Sequence, residues 1–416
     1  MKKNGFWFYL EPFVHTAING DKALVYNTIN GEKIELSNPF LIKLIKDTQY
    51  YKNQGVVYLS KSIYNQQYMM EFVEELRTKF IGNIIDVNLM PDKPIQFIPI
   101  PKIYRGTVKQ KSDPYGLVAE NILSYLQQLY LKINNQCKQS CSDCSYSYKQ
   151  NFHCSSGKCA TEMPFEQIEK IHNMLNTIPL QRIYITGGNI FQHSRINELI
   201  QLFSDIKDYC IFSFHLLNMP NEEILQKLSG YHVEVFITQP FNVESVKEAV
   251  QLFEQYKINY QFKISITSDA DVKFYNKLSK LFPKDFPLIL EPLFTGSNHD
   301  FFAKHVFINK EDIFAEPIPL NRIFANQILN SNFFGSLYID TDGSVKSNLN
   351  AKKKLGNIDC GSFYPLIAEE LINNYSWKKI RNKKPCSNCV YCSLCPAISN
   401  YEYAMNRTNL CNIYQE

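Results

Sequence analysis

The sequence predicts an α/β protein built on an open or partial barrel of six strand-helix units, with a small winged-helix-like unit ahead of it and a cysteine-rich tail behind. Three observations lead there. Short runs rich in β-branched and aromatic residues recur through the middle of the chain with amphipathic helical stretches between them, the rhythm of a parallel sheet flanked by helices. Upstream, three short strands are punctuated by Asn-Gly turn signals, and downstream the rhythm breaks into a hairpin and a cluster of cysteines.

In order along the chain, "FVHTAI", "KALVYNT" and "EKIEL" are expected as a meander turning at Asn19-Gly20 and Asn30-Gly31. Asn38-Pro39 opens a helix through "PFLIKLIKDTQ", and a second helix covers "QQYMMEFVEELRTKF" after "GVVYLS". This unit is assigned to residues 1–90. Residues 91–120, with Pro91, Pro94, Pro99, Pro101 and Pro114, are expected as a linker. The barrel, 121–320, takes its strands from "QLYLKI" (128–133), "RIYIT" (182–186), "CIFSFHLL" (210–217), "VEVFIT" (233–238), "QFKISIT" (261–267) and "PLILEPLF" (287–294). The helices between them include "FEQIEKIHNMLNT" and "VESVKEAVQLFEQY". In the tail, 321–416, "FFGSLYIDTDGSV" is expected as a hairpin around Asp342-Gly343. Function in such parallel sheets gathers at the carboxyl ends of the strands. His215 and Glu291 stand at strand ends, where polar side chains can line a pocket, and neither is assigned a role.

Apolar residues make up 45% of the sequence and charged residues 20%, ordinary globular usage, so an ordered chain is expected. The net charge of +4, from 44 basic and 40 acidic residues, is too small to predict a nucleic-acid surface. Glu11 and Pro12 interrupt the N-terminal aromatic run before a secretory core forms. No apolar run reaches the length of about 18 residues that spans a bilayer. A cytoplasmic protein is expected, in which the twelve cysteines do not form disulfides and the clustered ones bind metal.

"QCKQSCSDCSYSY" (136–148) sets Cys137, Cys141 and Cys144 as C-x3-C-x2-C on the loop after the first barrel strand. Three thiolates from one loop can hold three irons of a 4Fe–4S cluster and leave the fourth open to a small molecule. Zinc, with Cys154 or Cys159 as fourth ligand, and ordinary buried thiols are the alternatives.

The trio, placed after the first strand of a six-unit barrel, resembles the cluster motif of radical SAM enzymes, and so implies a partial TIM-like (βα)6 barrel of that family. "YITGGNIF", ending the second strand, is similar to the family's Gly-Gly-Glu motif. The resemblance implies that Gly187, Gly188 and Asn189 bind S-adenosylmethionine through its methionine amino group. Two positions depart from the family: Asp143 precedes the third cysteine in place of an aromatic residue, and Asn189 replaces the glutamate.

"CSNCVYCSLCP" places Cys386, Cys389, Cys392 and Cys395 at every third position, with Cys411 beyond, a spacing that suits iron–sulfur ligation or a zinc knuckle. Cys386-x2-Cys389-x5-Cys395 with Cys411 is similar to the SPASM extension of peptide-modifying radical SAM enzymes. That resemblance implies an auxiliary 4Fe–4S cluster on Cys386, Cys389, Cys395 and Cys411, with Cys392 a spare or alternative ligand. A second auxiliary cluster is not expected, because Ser347-Asn348 and Ser399 stand where that extension carries cysteines and Cys360 has no companions.

Nearly the whole chain resembles SPASM proteins of Bacteroidales double-glycine peptide systems, and within them a subgroup called pseudo-radical-SAM. The resemblance implies a peptide maturase whose N-terminal unit binds the leader of a ribosomal precursor peptide by strand addition. A reductant protein would supply electrons, and a 5'-deoxyadenosyl radical from cleaved S-adenosylmethionine would modify the peptide. The alternatives are a scaffold that binds the leader and an active partner maturase, and a zinc-stabilised adaptor.

Overall fold

The computed structural model describes residues 4–97, 121–139, 141, 144–154, 161–283 and 285–413. Most of the expected linker, together with Asp143 and Cys159, lies outside the described residues.

Strand β1 (Gly5–Leu10) stands between β5 (Val56–Ser60) and β6 (Gly82–Asp86), both antiparallel to it. The expected meander forms a second three-stranded antiparallel sheet from β2 (Val14–Asn19), β3 (Lys22–Asn27) and β4 (Lys33–Leu36). Asn19 pairs with Lys22, so Gly20 and Asp21 form the two-residue turn, and Gly20 takes the positive φ of +58° that such turns require. Helix Pro39–Thr48, capped by the Asn38 side-chain oxygen, which accepts from the Phe40 and Leu41 N–H groups, and helix Gln67–Thr78 share one core with both sheets. Met69, Phe72, Val73 and Leu76, at i, i+3, i+4 and i+7, bury one face of the latter against the two sheets.

Among the described residues a nine-stranded sheet forms the centre of the molecule, in the order β12-β11-β10-β9-β8-β7-β13-β14-β15. Its strands are β7 (Gln128–Asn134), β8 (Arg182–Gly187), β9 (Cys210–His215), β10 (His232–Ile237), β11 (Asn259–Ile266) and β12 (Leu288–Pro292). The remaining three are β13 (Ser336–Ile339), β14 (Ser344–Lys346) and β15 (Gly356–Asn357). The fold is therefore mixed α/β around a large, mostly parallel sheet. The six expected strands pair side by side in chain order. The expected hairpin at Asp342-Gly343 does more than turn: β13 runs parallel to β7 and carries the central sheet past residue 320.

Alternation across the pleat gives this sheet two different faces. Leu129, Leu131, Ile133, Ile183, Ile185, Phe212, Phe214, Val233, Val235, Phe262, Ile264 and Leu337 are buried in the main apolar core beneath the helices. Residues of the opposite parity include Tyr130, Tyr184, Ser213, Glu234, Lys263 and Tyr338, which line a cavity of about 380 Å³. Glu291 of β12 and Tyr338 of β13 line that same cavity. Seven strands laid flat would hold those two roughly 30 Å apart. The parallel run must therefore curl around the cavity.

The N-terminal sheet β2-β3-β4 is welded to the tail. Leu24 and Tyr26 share a core with Ile313, Ile318, Ile323, Val390, Tyr391 and Leu394. The Tyr26 hydroxyl accepts from Ile318 N at 2.7 Å, and buried His15 Nε2 lies 3.1 Å from Ser393 Oγ.

Candidate functional site

At the carboxyl end of β8, Gly187 takes a φ of +137°, a conformation open to glycine, and the chain turns sharply. A Cβ at Gly187 would stand 2.3 Å from the Asn134 carbonyl oxygen. One at Gly188 would stand 2.0 Å from the Gln136 carbonyl oxygen and 2.9 Å from Cys137 N. The glycine pair is therefore pressed directly onto the backbone that opens the cysteine loop. Asn189 N donates to Gln136 O at 2.5 Å and Gly188 N to Asn134 O at 3.2 Å. Asn218 ties the same two segments, donating to Gly188 O at 3.4 Å and accepting from Gln139 Nε2 at 3.2 Å.

The Asn189 side chain is used locally. Its oxygen accepts from Phe191 N at 3.1 Å and caps the short helical turn Ile190–Gln192. Asn134 Nδ2 donates to the Asn189 carbonyl at 2.7 Å. Asn134 Oδ1 and Thr186 Oγ1 are buried at this junction without a hydrogen-bond partner. A buried polar atom left unpaired costs about 1–3 kcal/mol, and a polar ligand placed here removes that cost.

Cys137 is exposed and Cys141 and Cys144 are half-buried, with Cys144 opening helix Cys144–Gln150. Burial pushes the Cys141 thiol up, and the neighbouring Cys144 and Cys137 push it the same way. The structure also brings Cys154 to this group. Burial drives its thiol far up, with Cys141, Cys144 and Cys137 adding to the shift and Lys132 opposing it. The helix that carries Cys144 is pinned beside the cavity, because Gln150, which lines it, exchanges hydrogen bonds of 2.9 Å with Phe294 O and Phe294 N.

The cavity holds charged residues, of which the sequence singled out Glu291 but not Glu234 or Lys263. Lys263 Nζ stands 3.0 Å from Glu234 and 3.4 Å from Glu291, and burial raises the Glu291 carboxyl while Lys263 opposes the rise. Tyr130 stacks on Tyr184 at 4.5 Å and on Tyr338 at 4.6 Å, both nearly parallel. His153 stacks on Phe236 at 3.5 Å. The signal for these residues was the alternate parity of the strands, readable only once the apolar face is known. Glu291 lines the cavity, whereas His215 caps its own strand end: it accepts from Leu217 N at 3.1 Å and meets Thr238 Oγ1 at 3.0 Å.

In the tail Cys386, Cys389, Cys392, Cys395 and Cys411 all line one small cavity together with Arg381. Cys392 differs from the rest, since its thiol donates to the Arg381 carbonyl at 3.0 Å. Cys389 and Cys411 accept from Tyr391 N at 3.4 Å and Ile413 N at 3.3 Å. Burial pushes the Cys395 thiol far up and raises Cys386, where Arg381 opposes it. Exposed Cys360 stands outside this cavity, its thiol donating to Ser362 O at 3.1 Å. Of the three residues found in place of further cysteines, Ser347 is buried with its hydroxyl unpaired, while Asn348 and Ser399 have structural work. Asn348 donates to Asn400 Oδ1 at 2.9 Å, and Ser399 caps helix Asn400–Ala404 in a capping box with Glu402.

Among the described residues, no three His, Cys, Asp or Glu side chains converge on a point where one ion would sit. A four-iron cube does not require that convergence, because each thiolate binds a different iron. Both cysteine groups fit such a cluster in donor type and number, and the orphaned oxygens beside the glycine pair fit a polar ligand. No described helix is long and apolar enough to cross a membrane.

No protein-family model matches the chain, and none of the curated proteins matches it. Among solved structures it is similar to Streptococcus suis SuiB bound to S-adenosylmethionine, with 12% identity over 97% of this chain and 99% of that chain and a TM-score of 0.40. It is similar also to SuiB alone (11%, 98% and 100%, TM-score 0.43) and to SuiB bound to precursor peptide SuiA (12%, 97% and 98%, TM-score 0.41). Similarity at that level assigns no activity.

Proposed function

We propose that the chain is an iron–sulfur, S-adenosylmethionine-dependent protein of the radical SAM type that acts on a ribosomally made precursor peptide. The observation that carries this reading is the contact of Gly188 with the backbone of Gln136 and Cys137, which joins the three-cysteine loop and the glycine pair into one site. A 4Fe–4S cluster on Cys137, Cys141 and Cys144 would supply the electron that cleaves S-adenosylmethionine to a 5'-deoxyadenosyl radical.

This chain's own residues have other tasks. Gly187 and Gly188 let the turn close against the backbone of Asn134, Gln136 and Cys137, and Thr186 and Asn134 offer a ligand unpaired oxygens. The curled sheet encloses the cavity and limits water near a reactive species. The N-terminal unit, winged-helix-like in this reading, offers sheet edges to a peptide leader. Cys386, Cys389, Cys395 and Cys411 would hold a SPASM-type auxiliary cluster, which would supply electron transfer from a reductant protein. The protein works in the reducing cytoplasm.

One observation favours a second reading, an eroded partner of the pseudo-radical-SAM kind that binds the leader and docks to an active maturase. Asn189 stands where the family carries a carboxylate, and its side chain is committed to its own turn. The test is anaerobic reconstitution, iron and sulfide counting, then incubation with S-adenosylmethionine and dithionite. Formation of 5'-deoxyadenosine supports the enzyme. Its absence from fully loaded protein, with and without precursor peptide, moves the assignment to the scaffold.

A further inference from the structure

Behind the cysteine cavity of the tail lies a buried ion pair. Arg381 is 9% exposed and Glu402 3%, and they meet at 2.6 Å. Both are held rigidly. The guanidinium also donates to Pro396 O at 2.7 Å and Ala397 O at 3.3 Å, while the second Glu402 oxygen accepts from Ser399 N at 2.8 Å and Ser399 Oγ at 2.6 Å. Arg381 lines the cavity beside Cys386, and Glu402 sits behind it.

A cluster bound to these thiolates gains one negative charge when it takes up an electron. A fixed positive charge close by stabilises the reduced form, and a fixed negative charge destabilises it. Both effects are strong where water is excluded. N–H groups donating to ligand sulfurs act like the positive charge, and Tyr391 N and Ile413 N do so at Cys389 and Cys411.

We propose that the Arg381–Glu402 pair sets the reduction potential of a cluster held by Cys386, Cys389, Cys395 and Cys411, Arg381 raising it and Glu402 limiting the rise. The proposal rests on the cluster reading given above and adds to it the residues that tune the couple. An ion pair that merely stapled the loop from Arg381 to Glu402 would alter folding stability in both variants without moving the potential in opposite directions.

The test is a dithionite titration, followed by electron paramagnetic resonance, of the reconstituted full chain carrying Cys137→Ala, Cys141→Ala and Cys144→Ala, so that one cluster reports. Arg381→Gln should move the midpoint to more negative values and Glu402→Gln to more positive values, while Arg381→Lys stays near the parent. Should Arg381→Gln fail to fold, a positive shift in Glu402→Gln beside an unmoved Arg381→Lys still decides. Midpoints that do not move, or that move the same way in both glutamine variants while iron and sulfide are at parent levels, overturn the proposal alone. Loss of all cluster iron from the parent of this series overturns the auxiliary-cluster reading and the proposal with it.

Discussion

Gly188 faces the carbonyl oxygen of Gln136 so closely that a single added methyl would stand 2.0 Å from it. Both partners are backbone, so neither can swing aside as a side chain would. Gly188→Ala is expected to displace the first cysteine of the loop or the end of β8, at a cost of about 1–3 kcal/mol in stability. Iron bound by the tail cysteines should be retained while 5'-deoxyadenosine formation is lost. Thermal melting, iron counting and product analysis on one preparation check this.

Thr186 Oγ1 is buried beside the glycine pair without a partner. Thr186→Val keeps the shape and removes the hydroxyl. One lost hydrogen bond is worth about 1 kcal/mol, so S-adenosylmethionine should bind the reconstituted protein roughly fivefold to tenfold more weakly. Iron content should not change. Equilibrium dialysis with labelled cofactor measures it.

Cys392 donates to the Arg381 carbonyl, whereas Cys389 and Cys411 accept from backbone N–H groups. A thiol used as a donor is poorly placed as a thiolate ligand. Cys392→Ala should therefore keep the tail iron after anaerobic reconstitution, and Cys395→Ala should lose it. Iron and sulfide counting on the two variants distinguishes them.

His15 is fully buried between the N-terminal sheet and the tail, and burial lowers its pKa from 6.5 to about 4. Between those values the unfolded chain binds a proton that the folded chain does not, so stability rises with pH through the window and is complete above it. Lowering the pH to 4 should remove about 3 kcal/mol through this residue. His15→Gln, which does not titrate, should flatten the slope of denaturant midpoint against pH between 4 and 6.5. A residual slope is expected from His215, whose pKa is also lowered to about 4 by burial.

Much of the central fold was legible because its strands carry strong local signals. Alternating Leu129, Leu131 and Ile133, or Val233, Val235 and Ile237, mark a buried face without any tertiary knowledge. The aromatic run "FWFYL" was read only as an interrupted N-terminal segment, yet it forms β1, the middle strand of its own sheet. Nothing local says that β5 and β6, tens of residues away, are its neighbours. The parallel pairing of β13 with β7 escaped for the same reason. At the site, the cysteine spacings and the glycine pair were visible in the chain. Their contact was expected from resemblance alone, since the loop and the turn are fifty residues apart. Cys154 was named only as a candidate zinc ligand, and Lys263 and the stacked tyrosines carried no motif, because their proximity is made by the curl of the sheet.

The central claim is that the three-cysteine loop and the glycine pair form one cofactor site. Its most direct measurement is the electron paramagnetic resonance spectrum of the reduced, reconstituted protein before and after S-adenosylmethionine is added. A signal that is reshaped by the cofactor, and is absent when Cys137, Cys141 and Cys144 are all replaced by alanine, is the predicted result. A fully iron-loaded protein whose spectrum is indifferent to the cofactor would contradict the claim.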